Sequence, residues 1–186
     1  MLALTLDRAR AQPATTAAIV IAVVGLMTMA GFFYFQYVLG YPPCPLCLEQ
    51  RYAFYVSVPL AAMILLRLSV GFSRKVITLA LLAIAAAMLW NAGLGTYHSG
   101  VEWHWWQGPQ DCSGAVPNLN TNGGTILDLI NKTRVVRCDE AAWRFLGISL
   151  AGYNVLVSLF LACVALWGAA AAWRTPDREY SGSAAE

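Results

Sequence analysis

Cys44 and Cys47 are separated only by Pro45 and Leu46, and Glu49, Gln50 and Arg51 follow almost at once. Two thiols at this spacing can close into a disulfide and reopen, so the pair can hold and release two electrons. Tyr41-Pro42-Pro43 blocks a helix ahead of Cys44, while Pro45 suits a helical first turn, where its missing N–H has no intrahelical partner to lose. A helix starting at the pair sets Cys44, Cys47 and Arg51 at i, i+3 and i+7, on one face. The positive helix end and the guanidinium one turn along both favour a thiolate at Cys47. The competing reading is a plain disulfide stapling the helix mouth, with Arg51 reaching out to water. An arginine set against hydrocarbon is costly, which favours a functional role.

Cys112 and Cys138 form a second candidate pair, separated by 25 residues. On spacing alone, a structural loop bridge and an exchangeable disulfide are equally good readings. Metal is a poor fit: a zinc ribbon needs two close C-x-x-C knuckles, and Leu48 rather than histidine follows Cys47, which excludes the usual covalent haem signature. His98, directly after Tyr97 at the end of an apolar run, can donate or accept a proton. His104, inside the cluster Trp103-His104-Trp105-Trp106, reads as a satisfied interfacial side chain. Cys163 lies within an apolar run, where a thiol packs as a small hydrophobe.

The elements that carry these residues belong to a membrane protein. Of 186 residues, 59% are hydrophobic and 12% charged, too apolar for a water-soluble globule of this size. Apolar runs at about 17–38, 47–66, 76–97 and 145–173 each reach the roughly 20 residues that cross a bilayer as a helix. Helices satisfy their own backbone in lipid, and no short alternating segments suggest a barrel. The expected fold is therefore all-α: one integral membrane domain over 1–186, a four-transmembrane-helix bundle with a large outer loop at about 98–144.

Arg67, Arg74 and Lys75 crowd the short connection between the second and third runs, which assigns it to the cytoplasm and puts both termini there too. Arg8, Arg10, Arg174 and Arg178 agree, and the first run reads as an uncleaved signal anchor. By alternation Cys44, Cys47, Cys112 and Cys138 face outward, into a compartment where cysteines tend to pair. Within the outer loop, the Trp103–Trp106 cluster reads as a headgroup anchor, 118–124 as a hinge, and 125–132 as a short helix lying on the membrane surface. Residues 177–186 form a polar tail. The net charge of +2 and the absence of a basic block give no sign of nucleic acid.

Taken in order, Pro43-Cys44-Pro45-Leu46-Cys47, Glu49-Gln50-Arg51, Tyr97-His98, Cys112, Cys138-Asp139-Glu140, Trp143 and Phe145-Leu146-Gly147 resemble the DsbB family of bacterial disulfide-bond formation proteins over nearly the whole chain. Proteins similar to vitamin K epoxide reductase also set four cysteines on a helical bundle, but place the C-x-x-C after the loop pair; here it comes first. The resemblance implies a multi-pass inner-membrane enzyme with its redox cysteines facing the periplasm. Such an enzyme reoxidises a soluble thioredoxin-fold (DsbA-like) thiol oxidase and passes the electrons to ubiquinone or menaquinone. It further implies that Cys112 takes the mixed disulfide with the partner, that Cys138 then engages Cys44, and that Cys47 is released as a thiolate against the quinone. Arg51 and His98 match quinone-site positions. Two other readings stand beside this one: a specialised relative serving one dedicated periplasmic partner, and a non-catalytic membrane anchor whose disulfides only brace its loop.

Overall fold

The computed structural model describes residues 13–70, 73–109 and 138–174. Helix α1, Pro13–Phe33, runs without a break into a π-helical turn, Tyr34–Val38. Then come α2, Pro45–Val70, and α3, Arg74–Glu102. A two-residue ladder, β1 Arg144–Phe145 with β2 Ile148–Ser149, leads into α4, Leu150–Arg174. The helices close a ring: α3 packs most extensively on α4, α2 lies against α3, and α1 bridges α2 and α4. Three of them, α1 with its π turn, α3 and α4, are long and apolar enough to cross a membrane by length and composition. The first turns of α2 carry Glu49, Gln50 and Arg51, which dilute its apolar character.

The interior is built from small and branched residues. Ala14, Ala17, Ala18 and Ile21 of α1 meet Phe54, Ala61 and Ile64 of α2, Leu81, Ile84 and Met88 of α3, and Leu161, Ala162 and Ala165 of α4. Alanine-rich faces let helix backbones approach closely, the packing on which association in lipid depends. The outside is greasy as well: Val23, Leu26, Met27, Leu79, Trp90, Phe160 and Trp167 are all exposed. Lipid rather than water is the solvent that suits such an exterior.

Two element boundaries differ from expectation. The third helix continues a turn past His98 to Glu102, so both lie on one helical face four residues apart. The fourth apolar run does not start as helix at 145. Leu146 and Gly147 have φ of 49° and 81°, the paired positive values of a tight hairpin turn, and Arg144 pairs with Ser149 across it. The helix therefore begins only at Leu150. Cys112, the 118–124 hinge, the 125–132 helix, Arg8, Arg10, Arg178 and the 177–186 tail lie outside the described residues.

The two ends of the bundle differ in chemistry. At one end Arg74 donates from Nη1 to the Trp173 carbonyl at 3.2 Å and lies over the Trp173 ring. Lys75 and Arg174 stand beside it, around a groove between α3 and α4. At the other end a small buried cluster joins Cys44, Leu46, Val101 and Cys138, with Cys47, Leu94 and Tyr97 against it. At 1.5 Å per residue, Lys75 and His98 are about 35 Å apart along α3, enough to span a bilayer core of about 30 Å.

Candidate functional site

Cys44 is the last residue before α2, and its carbonyl accepts the Leu48 N–H at 3.1 Å, opening the helix. Its sulfur takes the role of an N-cap side chain and accepts the backbone N–H of Cys47 at 3.3 Å. The two thiols are hydrogen-bonded 2.8 Å apart, and His98 Nε2 lies 3.6 Å from the Cys44 sulfur. The bond with the Cys47 thiol, opposed by burial and helped by His98, holds the Cys44 thiol down to about 5. With both thiols free, the donors thus converge on Cys44. The sequence predicts the thiolate at Cys47; this arrangement of donors favours Cys44 instead.

Cys44, Cys47 and His98 bring three potential metal-binding atoms within 4.8 Å of one another. Two thiolates on a tetrahedral zinc, each at about 2.3 Å, stand roughly 3.8 Å apart. Cys138 is buried, disulfide-bonded and packed in the same cluster as Cys44. Cys112 lies outside the described residues.

Arg51, one turn below Cys47, is only 7% exposed. It donates from Nη1 to Gln36 Oε1 of the π turn at 2.7 Å, and its guanidinium carbon sits 5.7 Å and 5.6 Å from the Phe32 and Phe33 ring centres. Its buried Nε–H has no protein acceptor among the described residues. Arg51, Cys47, Gln50 and His98 line one narrow pocket of about 70 Å³, with room for the edge of a flat ring; Phe32, Phe35, Pro42 and Pro43 are among its apolar walls. Ala142, Leu150 and Ala151, from the chain beyond Cys138, close another side. Trp143 packs that segment on the π turn, its ring 5.3 Å from Phe35.

Four of the expected residues, Cys44, Cys47, Arg51 and His98, therefore meet at one end of the bundle. His104 stands apart: it is exposed, with φ of 57°, and lines a separate depression with Trp105, Trp106 and Asp139. Its neighbour Trp106 folds back on α3, donating Nε1–H to the Tyr97 carbonyl at 2.8 Å and stacking on the Tyr97 ring. Cys163 is free and exposed on the outer face of α4, rather than packed in the core.

Four polar residues at or near the site were not foreseen, Gln36, Asn91, Glu102 and Asn154, and Gln50 was noted only as part of the motif. Glu102 Oε1 lies 3.8 Å from His98 Nε2, and Gln50 faces the other ring nitrogen at 2.8 Å. A lone asparagine in each of two apolar runs was the available signal, because an amide in lipid must find a partner.

Comparison with known proteins gives a consistent picture. The family model for disulfide bond formation protein DsbB matches residues 14–168. Among curated relatives, disulfide bond formation protein B of Hahella chejuensis is 32% identical over 168 residues, covering 82% of this chain and 88% of its own. The protein of the same name from Marinobacter nauticus is 28% identical over 151 residues (77% and 83%), and that of Albidiferax ferrireducens 27% over 157 (80% and 81%). No solved structure matches the chain. A family match spanning both the C-x-x-C and the segment from Cys138 into α4 makes this chain a member of the DsbB family.

Proposed function

We propose that the protein is a quinone-dependent protein thiol oxidase that renews the disulfide of a soluble thioredoxin-fold, DsbA-like partner. The observation that carries this reading is that Cys47 and Arg51 line the same aromatic-walled pocket while Cys44 is packed with disulfide-bonded Cys138. Such an arrangement allows electrons to pass inward from the loop disulfide to the C-x-x-C. The partner's dithiol reduces the disulfide of Cys112 and Cys138 and becomes a disulfide itself. The freed Cys138 thiolate attacks the Cys44–Cys47 disulfide at Cys44, and Cys112 then displaces Cys44 to restore the loop disulfide. Two electrons and two protons now rest on Cys44 and Cys47.

The pocket fits a quinone ring by its donor set. Arg51 offers a buried N–H with no protein acceptor, and the walls are apolar and aromatic. Ubiquinone or menaquinone, when bound, supplies the two-electron, two-proton acceptor. Arg51 would hold a ring oxygen and favour the thiolate at Cys47, and Phe32 and Phe35 would keep water out. His98 stands beside Cys44, with Glu102 beyond it, where a ring N–H can hold the Cys44 sulfur as the electrons arrive.

The membrane arrangement belongs to the same proposal. All four long helices cross the inner membrane, with α2 bringing Arg51 just below the outer surface. The end marked by Arg74, Lys75 and Arg174 lies in the cytoplasm with both termini, and 98–144 forms the periplasmic loop. Purified protein given a reduced thioredoxin-fold oxidase and either quinone tests the reading. Many turnovers, each consuming one quinone per partner disulfide, are expected. A single stoichiometric turnover with no quinone consumed would leave only a membrane anchor with structural disulfides.

A further inference from the structure

A line of buried amides crosses the bundle behind the site. Asn91 of α3 donates from Nδ2 to Ser158 Oγ at 2.9 Å and to Asn154 Oδ1 at 3.3 Å, both on α4. Asn154 donates from Nδ2 to Gln50 Oε1 of α2 at 2.6 Å. Gln50 then turns its Nε2 to His98 Nδ1, back on α3, at 2.8 Å. Asn91, Asn154, Gln50 and His98 are 1%, 3%, 4% and 3% exposed, so water cannot replace these bonds. A Cβ at Gly95 would fall 2.9 Å from Val155 Cγ2 and 3.4 Å from the Ala151 carbonyl, so the glycine permits the close α3–α4 approach that this line needs.

We propose that Asn91, Asn154 and Gln50 are positioning residues that hold His98 as the neutral ring protonated on Nε2, with that N–H turned onto the Cys44 sulfur. The three amides alone could run in either direction. Reversed, Gln50 would present its oxygen, the ring proton would sit on Nδ1, and a bare Nε2 would face two electron-rich groups, the Cys44 sulfur at 3.6 Å and Glu102 Oε1 at 3.8 Å. In the observed direction a donor meets the lone pair of Nδ1, and the Nε2–H meets sulfur and carboxylate. Every contact is then between donor and acceptor. The titratable or charged groups around the ring are Cys44, Cys47 and Arg51 from the start of α2 and its preceding residue, and Glu102 on α3 itself. Arg144 of the hairpin donates to the Glu102 carbonyl. His98 thereby acts on Cys44 as an aimed hydrogen-bond donor.

The inference rests on Cys44 being a redox thiol, as proposed above, but its test needs neither quinone nor partner. The chain has two histidines, so nitrogen-15 NMR of histidine-labelled protein in lipid nanodiscs, with the C-x-x-C reduced, shows two rings. His104→Gln assigns them. At pH 8 the wild-type His98 should show a protonated Nε2 and a bare Nδ1. Gln50→Glu places an acceptor at Nδ1 and should move the proton there; Asn154→Leu frees Gln50 to rotate and should give a mixture of both forms. The wild-type measurement requires no substitution at the site, so it decides even if a variant fails to insert. A wild-type ring protonated on Nδ1, or an unchanged tautomer in Gln50→Glu, would overturn the proposal whatever the oxidase assay shows.

Discussion

Replacing Arg51 tests the pocket most directly. Its Nη1 donates to Gln36 Oε1 at 2.7 Å, and its buried Nε–H has no acceptor among the described residues. A hydrogen bond from a charged donor contributes about 1.5–3 kcal/mol. At 1.4 kcal/mol per decade, its loss in Arg51→Ala should raise the KM for quinone roughly ten- to a hundred-fold. Arg51→Lys keeps a charge but not the planar fork, so it can serve Gln36 or the quinone oxygen and not both; an intermediate rise is expected. Both variants should also lower kcat, since less positive charge favours the Cys47 thiolate. Arg51→Ala leaves Gln36 Oε1 without its donor, at a cost of about 1–3 kcal/mol in stability. Membrane insertion and the two disulfides must therefore be checked alongside. Steady-state oxidation of a reduced partner across a range of quinone concentrations gives the numbers. An unchanged quinone KM in a well-inserted Arg51→Ala protein would refute the assignment of this pocket.

Cys44, whose thiol the Cys47 hydrogen bond and His98 hold below the ordinary thiol range, should stay thiolate to lower pH than an ordinary thiol when the C-x-x-C is reduced. Its ultraviolet thiolate absorbance, taken as the difference from Cys44→Ala, should persist as pH falls below 8, where an ordinary thiol loses it, and disappear only at more acidic pH. Given the oxidised partner, Cys138→Ala should form an adduct at Cys112, visible on non-reducing gels, because the Cys112 thiolate opens the partner's disulfide and no Cys138 is present to displace the partner; adducts forming mainly in Cys112→Ala would reverse the two roles. Single-cysteine labelling with an impermeant reagent should leave a probe near Lys75 protected in intact cells and modify one placed at Trp105. The opposite pattern would put all the redox cysteines on the wrong side of the membrane.

Helix content and the meeting of Cys44, Cys47 and Arg51 were legible because proline, a three-residue thiol spacing and a long apolar run act locally. The hairpin at Leu146 and Gly147 was hidden inside an apolar run, since the positive φ of a two-residue turn leaves no mark in hydrophobicity. The reach of α3 to Glu102 was missed for a related reason. His98 and Gly100 look like the end of a span, yet the helix runs on to Glu102, where the backbone N–H groups of Trp103, His104 and Trp105 close it on the carbonyls of Ser99, Val101 and Gly100. The amide line could not be read at all. Asn91 and Asn154 are 63 residues apart in sequence, and only helix packing brings them to 3.3 Å.

The π-helical turn at Tyr34–Val38 adds a residue to the local repeat just where Gln36 meets Arg51. Such turns amount to one-residue insertions in a regular helix and tend to occur at functional positions. Chain length is therefore constrained here more tightly than side-chain identity. Swapping Tyr34 or Phe35 for another aromatic leaves the register of Gln36 intact, whereas deleting either one rotates Gln36 away by about 100°, one residue of helix. Along α1, lengthening or shortening should be tolerated at Pro13 and not at this end, so the segment from Phe32 to Gln36 is expected to evolve by substitution without gaps.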